Sequence, residues 1–209
     1  MENPPTAHPS AASAPALVLG STSRYRRELL ERLRLPFSCV SPQVDETALP
    51  GETPAALALR LSLAKARAVA ALHPQAVVIG ADQVADLAGQ ALGKPGTHER
   101  AVEQLRRMRG QEVVFQTGLA VVRADTGFEQ ALLAPVRVRF RELSDAEIEH
   151  YLRLDQPYDC AGSAKCETLG IILLSAIDSD DPTTLVGLPL IRTAQLLRAA
   201  GLDPLLHAR

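Results

Sequence analysis

The run Ala76-Val77-Val78-Ile79-Gly80 constrains the fold more than any other part of the chain. Consecutive small and β-branched apolar residues, too few for a buried helix, read as a strand covered on both faces. Such a strand needs helices above and below its sheet, so an α/β architecture follows. A second run, Ala16-Leu17-Val18-Leu19, passes into Gly20-Ser21-Thr22-Ser23 and then into a helical pattern over 24–34. Leu29, Leu30 and Leu33 give that helix its apolar side, and Ser23 is its natural N-cap.

The remaining elements alternate in the same manner. A short strand is expected over 37–40, and a long helix over 54–72 with Pro54 in its first turn. A hairpin is expected through 86–90, then a helix over 98–108 capped by Thr97. Two long strands over 111–123 and 129–141 are joined at Gly127, which permits a positive φ. Ser144 and Glu147 form a capping box ahead of a helix over 145–154. An apolar strand over 170–177 and a helix over 190–200, stopped by Gly201, end the pattern. Residues 1–15, rich in Pro, Ala and Ser, read as a disordered leader. With no repeats and no linker, 16–209 reads as one α/β domain with a central mixed, twisted sheet flanked by helices.

Composition removes several function classes. The formal charge is −2, which argues against a generic nucleic-acid binder. No apolar run, Ile171 to Leu174 included, approaches the ~18 residues of a membrane span, so no membrane partner is expected. The N-terminal residues Met1 to Pro5 lack the basic segment of a secretory signal. Cys39, Cys160 and Cys166 form no CxxC pair and read as reduced thiols of a cytoplasmic protein. Five residues separate Cys160 from Cys166, a spacing that fits no usual zinc pattern. Only three of the 22 basic residues are lysine, namely Lys65, Lys94 and Lys165; either lysine is kept where a compact, mobile ammonium has a use, or the distribution is chance.

Five segments can carry chemistry. Ser21 to Arg27 joins unpaired helix-start N–H groups, hydroxyls and arginines, which suits a phosphate; an ordinary capped helix with a basic face is the alternative. Asp82 follows the apolar run, at the carboxyl end of the expected strand, where α/β sheets place ligands. It could hold a divalent cation or take a proton from water, or simply cap the hairpin. The pair Asp45-Glu46 lies in an acidic turn, and Gly93-Lys94-Pro95 presents a lysine on a fixed turn. Cys160 to Glu167 is a run of small residues around Lys165 and Glu167, open to close ligand approach or merely a surface loop.

Together and in this order, these segments resemble the Maf family of nucleoside triphosphate pyrophosphatases. The resemblance covers about 17–206. It is carried by Ser21-Thr22-Ser23 with Arg26-Arg27, Val44-Asp45-Glu46-Thr47, Lys65-Ala66, Gly80-Ala81-Asp82-Gln83-Val84, Gly93-Lys94-Pro95, Cys160-Ala161-Gly162-Ser163 and Leu185-Val186-Gly187-Leu188-Pro189-Leu190. It implies the Maf/inosine triphosphatase-like fold and hydrolysis of a nucleotide between its α- and β-phosphates. It makes Asp82 the proton acceptor, with Glu46, Lys65 and Lys94 as further catalytic residues. It places Ser21, Arg26 and Arg27 on the phosphates and a divalent cation such as Mg2+ or Mn2+ on Glu46 and Asp82. A homodimer is also consistent with it.

Within the family, Tyr25, Gln83 and Glu167 resemble the branch that cleaves 7-methyl-GTP, although Ala164 and Thr168 differ from it. Guanine presents two adjacent donors, which suit an acceptor-only carboxylate such as Glu167. N7 methylation makes the base cationic, and the Tyr25 ring could offer it a π face. The alternatives are a dTTP/UTP pyrophosphatase of the same family and a non-catalytic regulator of septum formation.

Overall fold

In the computed structural model, which describes residues 14–208, the apolar run at 76–80 begins the central strand of a seven-stranded mixed sheet. The expected leader over 1–15 lies almost wholly outside the described residues. The chain forms β1 (Leu17–Gly20), α1 (Arg24–Glu31), β2 (Phe37–Cys39), α2 (Pro54–Leu72), β3 (Val77–Leu87) and β4 (Gln90–Leu92). It continues through α3 (His98–Met108), β5 (Glu112–Arg123), β6 (Phe128–Phe140), α4 (Asp145–Asp155), β7 (Leu174–Asp178), α5 (Leu190–Ala199) and α6 (Pro204–His207). The strand order is β2-β1-β3-β5-β6-β7, with β4 paired to β3. β1 runs parallel to β2 and β3, and every other pairing is antiparallel.

Val77, Val78 and Ile79 are fully buried, and each contributes roughly 1.5–3 kcal/mol by leaving water. Alternation assigns them to two layers. Ile79 and Ala81 pack with Leu29, Leu30 and Leu197 under α1 and α5, while Val78 packs with Ala66 and Val69 of α2 on the opposite face. A separate cluster beneath α3 and α4 gathers Leu105, Met108, Phe115, Val138, Ile148 and Leu152. Two groups of helices therefore share one face of the sheet, and Thr117 of β5 lies between them.

Two glycines set the spacing of α2. A Cβ at Gly80 would strike the Ser62 carbonyl and come within 2.6 Å of Ala66 N, and one at Gly118 would strike the Ala58 carbonyl. Only glycine lets the small-residue face of α2 lie directly on the strands. That approach carries Lys65 to Asp82.

Three expectations are corrected. β3 does not stop at Gly80 but continues to Leu87, because β5 pairs with it from Val78 to Asp86. Asp82 is therefore mid-strand; it is β1 that ends here, its pairing with β3 finishing at Gly80. The expected strand over 170–177 begins as helical turns (Leu169–Leu173) and becomes β7 only at Leu174. Gly170 lies against the Lys165 backbone, and Leu173 is buried while Ile171 and Ile172 are exposed, a pattern without strand alternation. Helix α1 ends at Glu31 rather than near Arg34, whose φ is +54°.

Candidate active site

A gap in strand pairing opens the cleft. One edge of β3 is covered by β1 up to Gly80 and by β4 from Ala85 onward, so no strand covers it from Ala81 to Val84. Asp82 and Gln83 sit in that gap, on opposite faces of the strand. The cleft around them has a volume of about 690 Å³, within the range of ligand sites, and is bordered by Ser21, Tyr25, Arg26, Glu46, Lys65, Lys94 and Glu167. Nine of the ten predicted site residues thus converge.

The tenth, Arg27, does not. It lies on the outer side of α1 and pairs with Glu31 at 3.1 Å, its side chain 65% exposed. Arg26 and Arg27 are adjacent on one helix, so their side chains diverge by about 100° and only Arg26 faces the cleft.

One end of the cleft is built for anions. β1 turns at Ser21, whose Oγ accepts from Ser23 N at 3.1 Å and from Arg26 Nη1 at 3.4 Å. Ser23 caps α1 by accepting from Arg26 N, leaving the helix start beside the cleft. Arg26 is oriented from the far side by Nε donating to the Gly187 carbonyl at 3.0 Å. Burial lowers the Arg26 pKa from its ordinary value, against the opposing pull of Asp82 and Glu46. Lys65, buried on α2, reaches Asp82 Oδ1 and Glu46 Oε1, each at 2.7 Å. Asp82 is 8% exposed, whereas Glu46 hangs from the open loop between β2 and α2. Lys94 lines the cleft from the turn after β4.

The other end is lined by Phe115, Cys160, Ala161, Ala164 and Glu167, with Tyr25 and Asp159 at its side. Gln83 borders it, but its amide nitrogen donates to Thr117 Oγ1 at 2.8 Å and to the Thr184 carbonyl at 3.0 Å. Gln83 thus fastens the 184–187 wall. Tyr25 is also committed: the Arg24 guanidinium lies 4.7 Å from its ring centroid, covering one face, and Arg24 donates to its hydroxyl at 2.7 Å. Burial raises the Tyr25 pKa, so its hydroxyl stays protonated and donates to Asp159. A cationic base stacked on Tyr25 would share the ring with that arginine. The expected π face is therefore not freely presented.

Lys165 is not a cleft lysine. Its Nζ donates to the Asp155 carbonyl at 3.0 Å, supporting the C-terminal end of α4. Thr168 adds a bond to Asp155 Oδ2 at 2.8 Å, so this departure from the 7-methyl-GTP branch anchors the loop that carries Glu167. Burial pushes the Cys160 and Cys166 thiols up to about 12, which keeps both protonated.

The sequence reading missed three supports of the cleft. Thr117 and the Thr184–Leu185 carbonyls hold Gln83, and Asp159 accepts from Tyr25. Gly187 was recognisable within the Leu-Val-Gly-Leu-Pro-Leu segment, but only the fold shows its carbonyl meeting Arg26.

A family model described as Maf-like protein matches residues 16–200, nearly all of the described chain. The chain belongs to the Maf family. Close relatives include a Polaromonas protein named 7-methyl-GTP pyrophosphatase, 72% identical over 88% of this chain and 84% of its own length. A protein of the same name from Albidiferax ferrireducens is 66% identical over 90% of this chain and 95% of its own. Another from Bordetella pertussis is 58% identical over 93% and 96%. Family membership explains why the segments at 21–26, 46, 65, 82, 94 and 160–167, far apart in sequence, meet in one cleft.

Proposed function

We propose that this protein hydrolyses the α–β phosphate bond of 7-methyl-GTP, giving 7-methyl-GMP and pyrophosphate. The observation that carries the reading is the pairing of Lys65 with Asp82 in a cleft that is also lined by Arg26, Lys94 and Glu167. The names of the relatives supply the substrate.

Each residue has a task in that reaction. The substrate is a polyanion, so attack at the α-phosphorus needs positive groups arranged beforehand. Arg26, Lys65 and Lys94 provide them, while Ser21 and the start of α1 offer donors. Asp82 accepts the proton of the attacking water, held on a rigid strand beside the phosphates. At the base end, Glu167 accepts from the guanine N1–H and exocyclic amine.

Asp82 and Glu46 suit a divalent cation of the Mg2+ type, which takes one or two carboxylates and completes its shell with water and substrate phosphates. Lys65 engages one oxygen of each, and the second oxygen of each has no protein donor among the described residues. When bound, such an ion would draw charge from the phosphate oxygens and help position the water. The reading carries a cytoplasmic setting, where nucleotides abound and thiols stay reduced.

Pyrophosphate release from 7-methyl-GTP, GTP, dTTP and UTP by the purified protein, with Mg2+ or Mn2+ and with chelator, tests this reading. The highest kcat/KM is expected for 7-methyl-GTP, with loss of turnover in chelator. Asp82→Asn, nearly isosteric, should lose at least ~100-fold. A preference for dTTP or UTP would move the chain to the pyrimidine branch. No pyrophosphate from any nucleotide would remove the enzymatic reading.

A further inference from the structure

The two carboxylates at the phosphate end are already bridged by a cation of the protein itself. Lys65 Nζ bridges Glu46 Oε1 and Asp82 Oδ1 at 2.7 Å each, and its side chain is only 7% exposed. Both contacts are as short as strong charge-assisted hydrogen bonds. Lys65 and Asp82 stand on α2 and β3, which pack directly on one another at Gly80. Glu46 differs, being on a loop with its side chain 61% exposed.

A divalent cation approaching this pair in the free protein meets the ammonium first. It also meets Arg26, whose guanidinium feels both carboxylates. Two cations then face the two carboxylates, so no net negative charge is left there to draw a further cation. The donor set is thin as well: among the described residues, no group of three or more His, Cys, Asp or Glu side chains is placed to hold a metal. A nucleotide triphosphate reverses both conditions. Its phosphates bring negative charge and extra oxygen ligands, and they offer the ammonium a new partner within reach of its flexible stem.

We propose that Lys65 is a resident counter-cation that keeps the free protein from binding a divalent metal and is released only by the polyphosphate. Lys65 thereby couples the two events: as its ammonium moves to the phosphate oxygens, Asp82 and Glu46 become available to the metal that arrives on the same nucleotide. This rests on the reading of Asp82 and Glu46 as metal ligands, and it adds an order to assembly. Entry of a bare metal is unfavourable, and entry of the metal–nucleotide complex is not.

The test is Mn2+ binding to the nucleotide-free protein, read from the electron paramagnetic resonance of unbound Mn2+. Wild type should bind weakly. Lys65→Gln, which removes the charge, should bind Mn2+ tighter by roughly tenfold or more, equivalent to about 1.4 kcal/mol. Lys65→Arg keeps the charge and should bind as weakly as wild type. Adding Asp82→Asn to Lys65→Gln should abolish the gain, which places the exposed site on that carboxylate. Equal affinity in wild type and Lys65→Gln would overturn the proposal, as would a gain that survives Asp82→Asn. Thermal melts check that each variant is folded. Should Lys65→Gln not fold, Lys65→Met keeps the stem without the charge and serves instead; tight Mn2+ binding by wild type alone would itself refute the idea. No nucleotide and no turnover enter this measurement, so its failure is distinct from failure of the 7-methyl-GTP reading.

Discussion

Replacing Gly80 by alanine tests how the fold delivers its chemistry, because the new methyl group would meet backbone rather than a movable side chain. Its Cβ would lie 2.6 Å from Ala66 N and 2.9 Å from Ala66 Cβ, against an ordinary contact of 3.4 Å or more. The Ser62 carbonyl would be closer still. Relief requires α2 to retreat from β3 by about 1 Å at Ala66, a strain of the overpacking kind that costs about 1–3 kcal/mol. For a chain of this length each kcal/mol lowers Tm by about 2–4 °C, so a fall of roughly 2–12 °C is expected. Lys65 is the neighbour of Ala66 and moves with it, stretching the 2.7 Å contacts to Asp82 and Glu46. A displacement of about 1 Å in a catalytic group can cost up to ~100-fold in rate. Gly118→Ala supplies the contrast. It meets the Ala58 carbonyl nearly two helical turns from Lys65 and stands opposite Asp82 on β5, so it should lose similar stability while disturbing Asp82 rather than Lys65. Melting by circular dichroism and pyrophosphate release on both variants decide the matter. A Gly80→Ala protein with wild-type Tm and turnover would refute the claim that these glycines clamp α2 to the sheet.

The adjacent arginines should behave oppositely. Arg26→Ala should weaken kcat/KM for every accepted nucleotide by about 10- to 100-fold, the worth of a charged hydrogen bond, whereas Arg27→Ala should leave turnover unchanged and stability within about 0.5 kcal/mol. Glu167→Gln places a donor against a donor of guanine and should cost about 30-fold or more in kcat/KM for 7-methyl-GTP and GTP while sparing pyrimidine nucleotides; equal losses on all four would return Glu167 to a solvated loop residue. Acid should destabilise the fold through two carboxylates held at about 2: Glu52, bonded chiefly by Arg60, and Glu147, bonded chiefly by the Ser144 backbone. Because their folded values lie below the ordinary 4.5, their stabilisation is complete above that pH and is lost as pH falls toward 2. Melting curves of the Glu52→Gln, Glu147→Gln double variant should therefore be flatter than wild type over that window, and parallel curves would contradict the assignment.

Local chemistry determined the elements that it caps or buries. Ser23, Thr97 and Ser144 each accept from a backbone N–H at the start of their helices, and all were recognisable from residue type alone. The run at 77–79 announced a strand covered on both faces, because small and β-branched residues without a polar neighbour have no solvent side. Most of the polar residues of the cleft were legible as motifs. What the sequence could not supply was pairing and direction. The length of β3 was fixed by β5, a partner about thirty residues away or more, so Asp82 moved from a strand end to mid-strand. Arg26 and Arg27 are chemically identical, and only the packing of α1 sends one into the cleft and the other to Glu31. Tyr25 and Lys165 were both read for chemistry, yet Arg24 covers one face of the first and the end of α4 engages the second. A residue type states which bonds a side chain can make. Which of them it does make depends on groups that only the folded chain brings within reach.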